Sequence, residues 1–206
     1  MTRIKICGLT NADDALAVAR FGADALGFIA VPDTPRFVSP ETLAAISRAL
    51  PPFALRVVVV RELIDAVGYG ADAIQFYDGD GTGSHGLRRV RAFRIRDEES
   101  LNAVVEYRHV PNAVLLDAFH EGALGGAGRT FDWRLAVRAK AMLGDIPLIL
   151  AGGLTPENVG DAIRAVRPYA VDVSSGVEAE PGRKDHDKIR RFVAAVRDVD
   201  RALSPL

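Results

Sequence analysis

Along most of this chain, short apolar runs alternate with segments of helical period, the pattern of βαβ units that build a parallel sheet. Eight runs read as strands: "RIKIC" (3–7), "DALGFI" (24–29), "ALRVVVV" (54–60), "DAIQFY" (72–77), "RVRAFRI" (89–95), "NAVLLDA" (112–118), "IPLILA" (146–151) and "YAVDVSS" (169–175). Several are nearly continuous in apolar residues, as strands buried on both faces must be. The helices between them carry start signals. Ser39-Pro40-Glu41 offers an N-cap followed by proline at the first helical position, and Thr155-Pro156-Glu157 repeats that arrangement. Thr10-Asn11-Ala12-Asp13 resembles a capping box with Asp in place of Glu or Gln, and the helical stripe after it runs to Gly22. The amphipathic stretches "ESLNAVVEYRHV", "FDWRLAVRAKAML", "PENVGDAIRAV" and "HDKIRRFVAAVRDVDRAL" supply four more helices.

The pattern thins between the third and fifth strands, where only "RELIDAVGYGA" and the glycine-rich "DGDGTGSHGLR" intervene. No linker or short repeat divides the chain. These features predict an α/β fold, a single (β/α)8 TIM barrel domain over residues 1–206 with shortened helices around strands 3 to 5. An open doubly wound sheet would show the same order of elements, because counting strands does not reveal closure. In either case the ligand lies at the C-terminal ends of the strands.

Charge and composition narrow the partners. Lys+Arg 26 against Asp+Glu 27 gives a net charge of −1, so no overall basicity favours nucleic acid or an anionic membrane. Any anion has to be bound locally. Cys7 is the single cysteine and forms no intrachain disulfide, and "MTRIKICGLT" lacks the apolar core of a secretion signal. No apolar stretch approaches the ~18 residues of a membrane span. A reducing cytoplasm is the expected location, a small molecule rather than nucleic acid or membrane the expected partner, and no sequence feature sets an oligomeric partner.

Lys5 and Cys7 lie two residues apart on the first strand and share a face, with Gly8 ending the strand beside them. A lone cysteine is more often a small core hydrophobe. A buried lysine, however, needs a partner, and a nearby ammonium favours the reactive thiolate. Arg36, in the loop "AVPDTPRFVSPE", presents a planar fork suited to a carboxylate or phosphate, or is simply a solvated loop residue. Asp132 follows the Gly125-Gly126-Ala127-Gly128 run and reads either as a helix-start residue or as part of a site under a closely approached loop. After the last two strands, "LAGGLTPENV" and "DVSSGVE" set Gly152, Gly153, Ser174, Ser175 and Gly176 in adjacent loops, where such barrels often bind phosphate. Asp172 shares the inward face with Ser174. His85, His109, His120 and His186 are too scattered for a metal site, and neither a phosphate-loop nor a dinucleotide fingerprint is present.

Five separated stretches, "KICGLT", "GADALGFI" with "TPRFVSPE", "LLDA" with "GGAGRTFDW", "LAGGLTPENV" and "VDVSSGVEAEPGRKDHDKI", run in order from end to end. Together they resemble the phosphoribosylanthranilate isomerase family of tryptophan biosynthesis. The resemblance implies a barrel and an Amadori rearrangement of N-(5′-phosphoribosyl)anthranilate to 1-(2-carboxyphenylamino)-1-deoxyribulose 5-phosphate, without cofactor or metal. By resemblance, Asp132 is the general acid that opens the ribose ring to a Schiff base, and Cys7, as thiolate, removes the C2′ proton. Arg36 holds the anthranilate carboxylate, the two small-residue loops hold the phosphate, and Lys5 and Asp172 join the substrate-binding residues. The chain departs from the family in "VVVVREL", where an "F-V-N"-like strand ending is usual, and in "IQFYDGDG", where "QLHG" is usual. An isomerase of another phosphoribosyl compound is the related alternative, although dual-substrate relatives carry Asp at the base position. A non-catalytic phosphoribosyl-binding barrel is the third, and loss of Cys7 or Asp132 would have marked it.

Overall fold

The eight apolar runs all become strands, and the strands close into a ring. The computed structural model describes residues 1–79, 86–107, 111–118 and 130–203. Within it, β1 (Arg3–Ile6), β2 (Ala25–Ile29), β3 (Leu55–Val60), β4 (Ala73–Phe76), β5 (Arg88–Ile95), β6 (Ala113–Ala118), β7 (Leu148–Leu150) and β8 (Ala170–Val173) pair in chain order. All the pairings are parallel, and β8 returns to β1 with Lys5 opposite Asp172, which excludes the open sheet.

Strand alternation assigns each residue a side. Ile4, Ile6, Leu26, Phe28, Leu116 and Val171 turn outward and pack with helix residues such as Leu43, Ile46, Ile163 and Phe192. Each such Ile, Leu or Phe stabilises the fold by ~1.5–3 kcal/mol on burial. The opposite parity fills the ring's interior with smaller groups, including Ala92, Ala113, Leu115 and Ile149 in one cluster and Ala25, Val57 and Ala73 in another. Among the described residues, no helix is long and apolar enough to cross a membrane.

The helices are α1 (Ala12–Arg20), α2 (Pro40–Ala49), α3 (Ser100–Glu106), α4 (Trp133–Leu143), α5 (Val159–Val166) and α6 (His186–Leu203). Ser39 caps α2 as its sequence predicts. Asn11, rather than Thr10, caps α1, its side chain accepting from the Asp14 N–H at 2.9 Å. Thr155 caps a turn ahead of α5: its hydroxyl accepts from Glu157 N at 3.2 Å and its carbonyl from Val159 N at 3.1 Å.

The wall thins where the pattern thinned. Only a 3-10 turn, Leu63–Ala66, joins β3 to β4, and α3 has just 7 residues. No helix is described between β4 and β5, where residues 80–85 lie outside the described part. Arg91 helps to cover that wall, its guanidinium sitting 5.3, 4.9 and 5.3 Å from the ring centres of Phe76, Phe93 and Tyr107. The hydrophobic pattern did not signal the small hairpin after β8, β9 (Glu178–Glu180) with β10 (Arg183–Lys184). His186 pairs with Asp14, whereas His85, His109, His120 and the Gly125–Gly128 run lie outside the described residues.

Candidate active site

The inward parity of β1 puts Lys5 and Cys7 inside the barrel, and β2 makes room for them. A Cβ on Gly27 would lie 2.7 Å from the Cys7 sulfur and 3.0 Å from Lys5 Nζ, so only glycine leaves this space open. Lys5 Nζ donates to Asp172 Oδ2 at 3.0 Å, across the β1–β8 seam. Burial works against the ammonium, but Asp172 and Cys7 facing it carry its pKa above the ordinary lysine range. For Cys7 the balance runs the other way. Burial pushes the thiol up, Lys5 and Lys184 pull it back only in part, and the Asp172 carboxylate adds to the rise. The ammonium is therefore present as the sequence predicts, but it does not by itself outweigh the burial that favours the neutral thiol.

Cys7 lines a cavity at the C-terminal ends of the strands. Arg36, Asp172, Gly152, Gly153, Ser174, Ser175 and Gly176 line it with Cys7, so eight of the ten residues named from sequence converge. The two small-residue loops touch: a Cβ on Gly176 would lie 1.9 Å from the Leu154 carbonyl oxygen. Among the described residues, the buried atoms Asp172 Oδ1 and Ser174 Oγ have no hydrogen-bond partner, which leaves an acceptor and a hydroxyl for a ligand.

Lys5 and Asp132 do not line the cavity. Lys5 lies one step further down β1 in its pair with Asp172. Asp132 caps α4, accepts from Arg134 N at 3.0 Å and pairs with Arg134 Nη2 at 2.6 Å, with its side chain 45% exposed. The hydrogen bonds from Arg134 hold its carboxyl below the ordinary aspartate range.

The barrel interior also presents polar groups that sequence reasoning missed. Gln75, Tyr77 and Asp117 line the same cavity. Gln75 Nε2 donates to the Tyr77 hydroxyl at 3.3 Å, and that hydroxyl donates to Asp117 Oδ2 at 3.4 Å. The Arg94 guanidinium sits 5.1 Å from the Tyr77 ring centre. Burial, reinforced by the Asp172 charge, raises the Asp117 pKa to about 6. A carboxyl with a raised folded pKa holds its proton more tightly folded than unfolded. Asp117 therefore takes stability from the fold as pH climbs from about 4 to 6, and this contribution is not regained above. Asp117→Asn is expected to be more stable than wild type at pH 7.5 by up to about 3 kcal/mol, the advantage vanishing near pH 4. Urea unfolding at both values checks this, and a difference independent of pH would refute it.

Comparison with known proteins fits this geometry. Residues 4–195 match the family model described as N-(5'phosphoribosyl)anthranilate (PRA) isomerase. The chain is 47% identical to the N-(5'-phosphoribosyl)anthranilate isomerase of Geobacter sp. (strain M21), over 96% of this chain and 98% of the relative. The crystal structure of phosphoribosyl anthranilate isomerase from Thermotoga maritima superposes with a TM-score of 0.86 at 39% identity, covering 96% of this chain and 100% of the other. A further solved structure, of the isomerase in complex with reduced 1-(o-carboxyphenylamino)-1-deoxyribulose 5-phosphate, superposes with a TM-score of 0.83 at 37% identity and the same coverage. With a family match over most of its length and relatives this similar, the chain belongs to the N-(5'-phosphoribosyl)anthranilate isomerase family.

Proposed function

We propose that this protein isomerises N-(5′-phosphoribosyl)anthranilate to 1-(2-carboxyphenylamino)-1-deoxyribulose 5-phosphate in tryptophan biosynthesis, by general acid–base catalysis. The observation that carries the proposal is the convergence of a buried thiol, a guanidinium and two small-residue loops on one cavity. The loops suit a phosphate, through backbone N–H groups and the unpartnered Ser174 hydroxyl. Arg36 suits the anthranilate carboxylate.

In this reading Asp132 gives a proton to the ring oxygen as the C1′–O4′ bond breaks, and the amine lone pair forms C1′=N. The Cys7 thiolate then takes the C2′ proton. The C2′–H electrons form C1′=C2′ and the C=N pair returns to nitrogen, giving an enolamine. Moving the O2′ proton out and a proton onto C1′ completes the ketone, so atoms and electrons balance without a redox partner. For Asp132 to act as acid, its ion pair with Arg134 has to be given up in the substrate complex.

A second reading of the acid has its own support. Asp117 lines the cavity, and its pKa of about 6 lets it hold a proton near neutrality. The test is consumption of phosphoribosylanthranilate, followed by loss of its fluorescence, with wild type, Asp132→Asn and Asp117→Asn. Wild-type turnover is expected, with kcat lowered about 10²-fold or more by Asp132→Asn. A comparable loss confined to Asp117→Asn would transfer the acid role, and no turnover by wild type would overturn the proposed activity.

A further inference from the structure

The "PGRKDH" stretch after β8 places a second cation behind Arg36. Glu178, at the start of β9, accepts from Arg36 Nε at 2.9 Å and Arg36 Nη2 at 2.7 Å, and also from Lys184 Nζ at 2.9 Å. Lys184 Nζ donates as well to the Ser174 carbonyl at 3.1 Å, and the Gly182 N–H lies 3.4 Å from Glu178 Oε1. All three charged side chains are removed from water, with exposures of 13% for Arg36, 5% for Glu178 and 0% for Lys184. Two cations share one carboxylate, while the neighbouring Lys5–Asp172 pair is neutral. Within the Arg36–Glu178–Lys184 group one positive charge is left over, and a buried surplus of charge favours an anionic partner.

Arg36 is the member of this group that lines the cavity. Glu178 occupies the Nε/Nη2 edge of its guanidinium, which fixes the plane of the group and leaves Nη1 for a second acceptor. Without Lys184, the Arg36 charge would be cancelled by Glu178. The hairpin that carries Lys184 is tied down: its backbone N–H donates to Asp14 Oδ2 at 2.9 Å, and Thr10 Oγ1 donates to the Gly182 carbonyl at 2.6 Å.

We propose that Lys184 is a positioning residue for carboxylate recognition: by neutralising Glu178, it leaves Arg36 oriented yet still positive toward the carboxylate of the substrate. Burial holds the Lys184 ammonium below the ordinary lysine range in spite of Glu178, as befits a cation in a group short of one counter-charge. The inference rests on the activity proposed above and adds a determinant of its carboxylate subsite.

The experiment measures KM and kcat for phosphoribosylanthranilate in wild type, Lys184→Met, Lys184→Gln, Lys184→Arg, Arg36→Ala and the Arg36→Ala/Lys184→Met double variant. Lys184→Met is expected to raise KM about tenfold with a smaller change in kcat, and Lys184→Arg to restore it. Lys184→Gln, which keeps a donor toward Glu178, is expected to show the same KM loss and serves if Lys184→Met does not fold. Because Lys184 acts through Arg36, adding Lys184→Met to Arg36→Ala should change KM by less than about twofold. An unchanged KM in the Lys184 variants, or the full loss repeated in the Arg36→Ala background, would overturn the inference while wild-type turnover still upheld the activity. Absence of turnover in wild type would overturn both.

Discussion

Replacing Cys7 by alanine is expected to lower kcat for phosphoribosylanthranilate by about 10²- to 10⁴-fold, the range over which a positioned proton-transfer group acts. The substitution removes one buried sulfur atom while Lys5 keeps its Asp172 partner, so a folded protein is expected. The pH dependence gives the sharper readout. In the proposed mechanism the base works as thiolate, and burial sets the thiol above its ordinary range. Wild-type kcat/KM is therefore expected to climb through neutrality and to be still rising at about pH 8.5. In Cys7→Ala that alkaline limb should be gone from the residual rate. A variant that keeps the limb at near wild-type amplitude would assign the base elsewhere.

Gly176→Ala is expected to destabilise the protein by roughly 3 kcal/mol and to weaken phosphate recognition with it. The added methyl would stand 1.9 Å from the carbonyl oxygen of Leu154, and backbone cannot turn aside as a flexible side chain would. Relief requires the loops after β7 and β8 to separate, and both supply residues to the cavity wall. Urea midpoints and the KM for phosphoribosylanthranilate measure the two effects. Gly70→Ala is the matched control: a Cβ there meets nothing within 4 Å, so its stability change should stay within about 0.5 kcal/mol. Equal behaviour of the two variants would show that the close approach does not hold the loops together.

Strand identity was legible because two-sided burial writes itself as continuous apolar runs, and inward parity on β1 and on the adjacent β8 was enough to turn Lys5, Cys7 and Asp172 into the barrel. Asp117 obeys the same parity, sharing the inner side with Leu115, and a carboxyl inside an otherwise apolar strand was the available signal. Glu178 and Lys184 lay within a family-like stretch, but nothing in its pattern joined them to Arg36. Arg36 and Glu178 are 142 positions apart, and the hairpin that carries Glu178 and Lys184 is too short and too polar to register in a hydrophobic pattern. The thiol's protonation was illegible for a different reason: a neighbouring ammonium can be read from spacing, but the larger effect of burial depends on what surrounds the sulfur in space.

The ring is closed by its first and last strands, so during synthesis β1 is made first and waits longest. At about 5–20 residues per second, on the order of ten seconds pass before residues 170–173 emerge to pair with it. Until then one edge of β1 is open, Lys5 lacks Asp172, and the Thr2 backbone N–H lacks the Asp200 carboxylate that it meets at 2.9 Å in the finished fold. An open strand edge invites pairing with other chains, and a short strand bearing a lysine discourages it. β1 is four residues long and carries Lys5 at its centre. The lysine that faces the thiol in the finished barrel is thus also of the residue type that discourages edge pairing while β1 is still open.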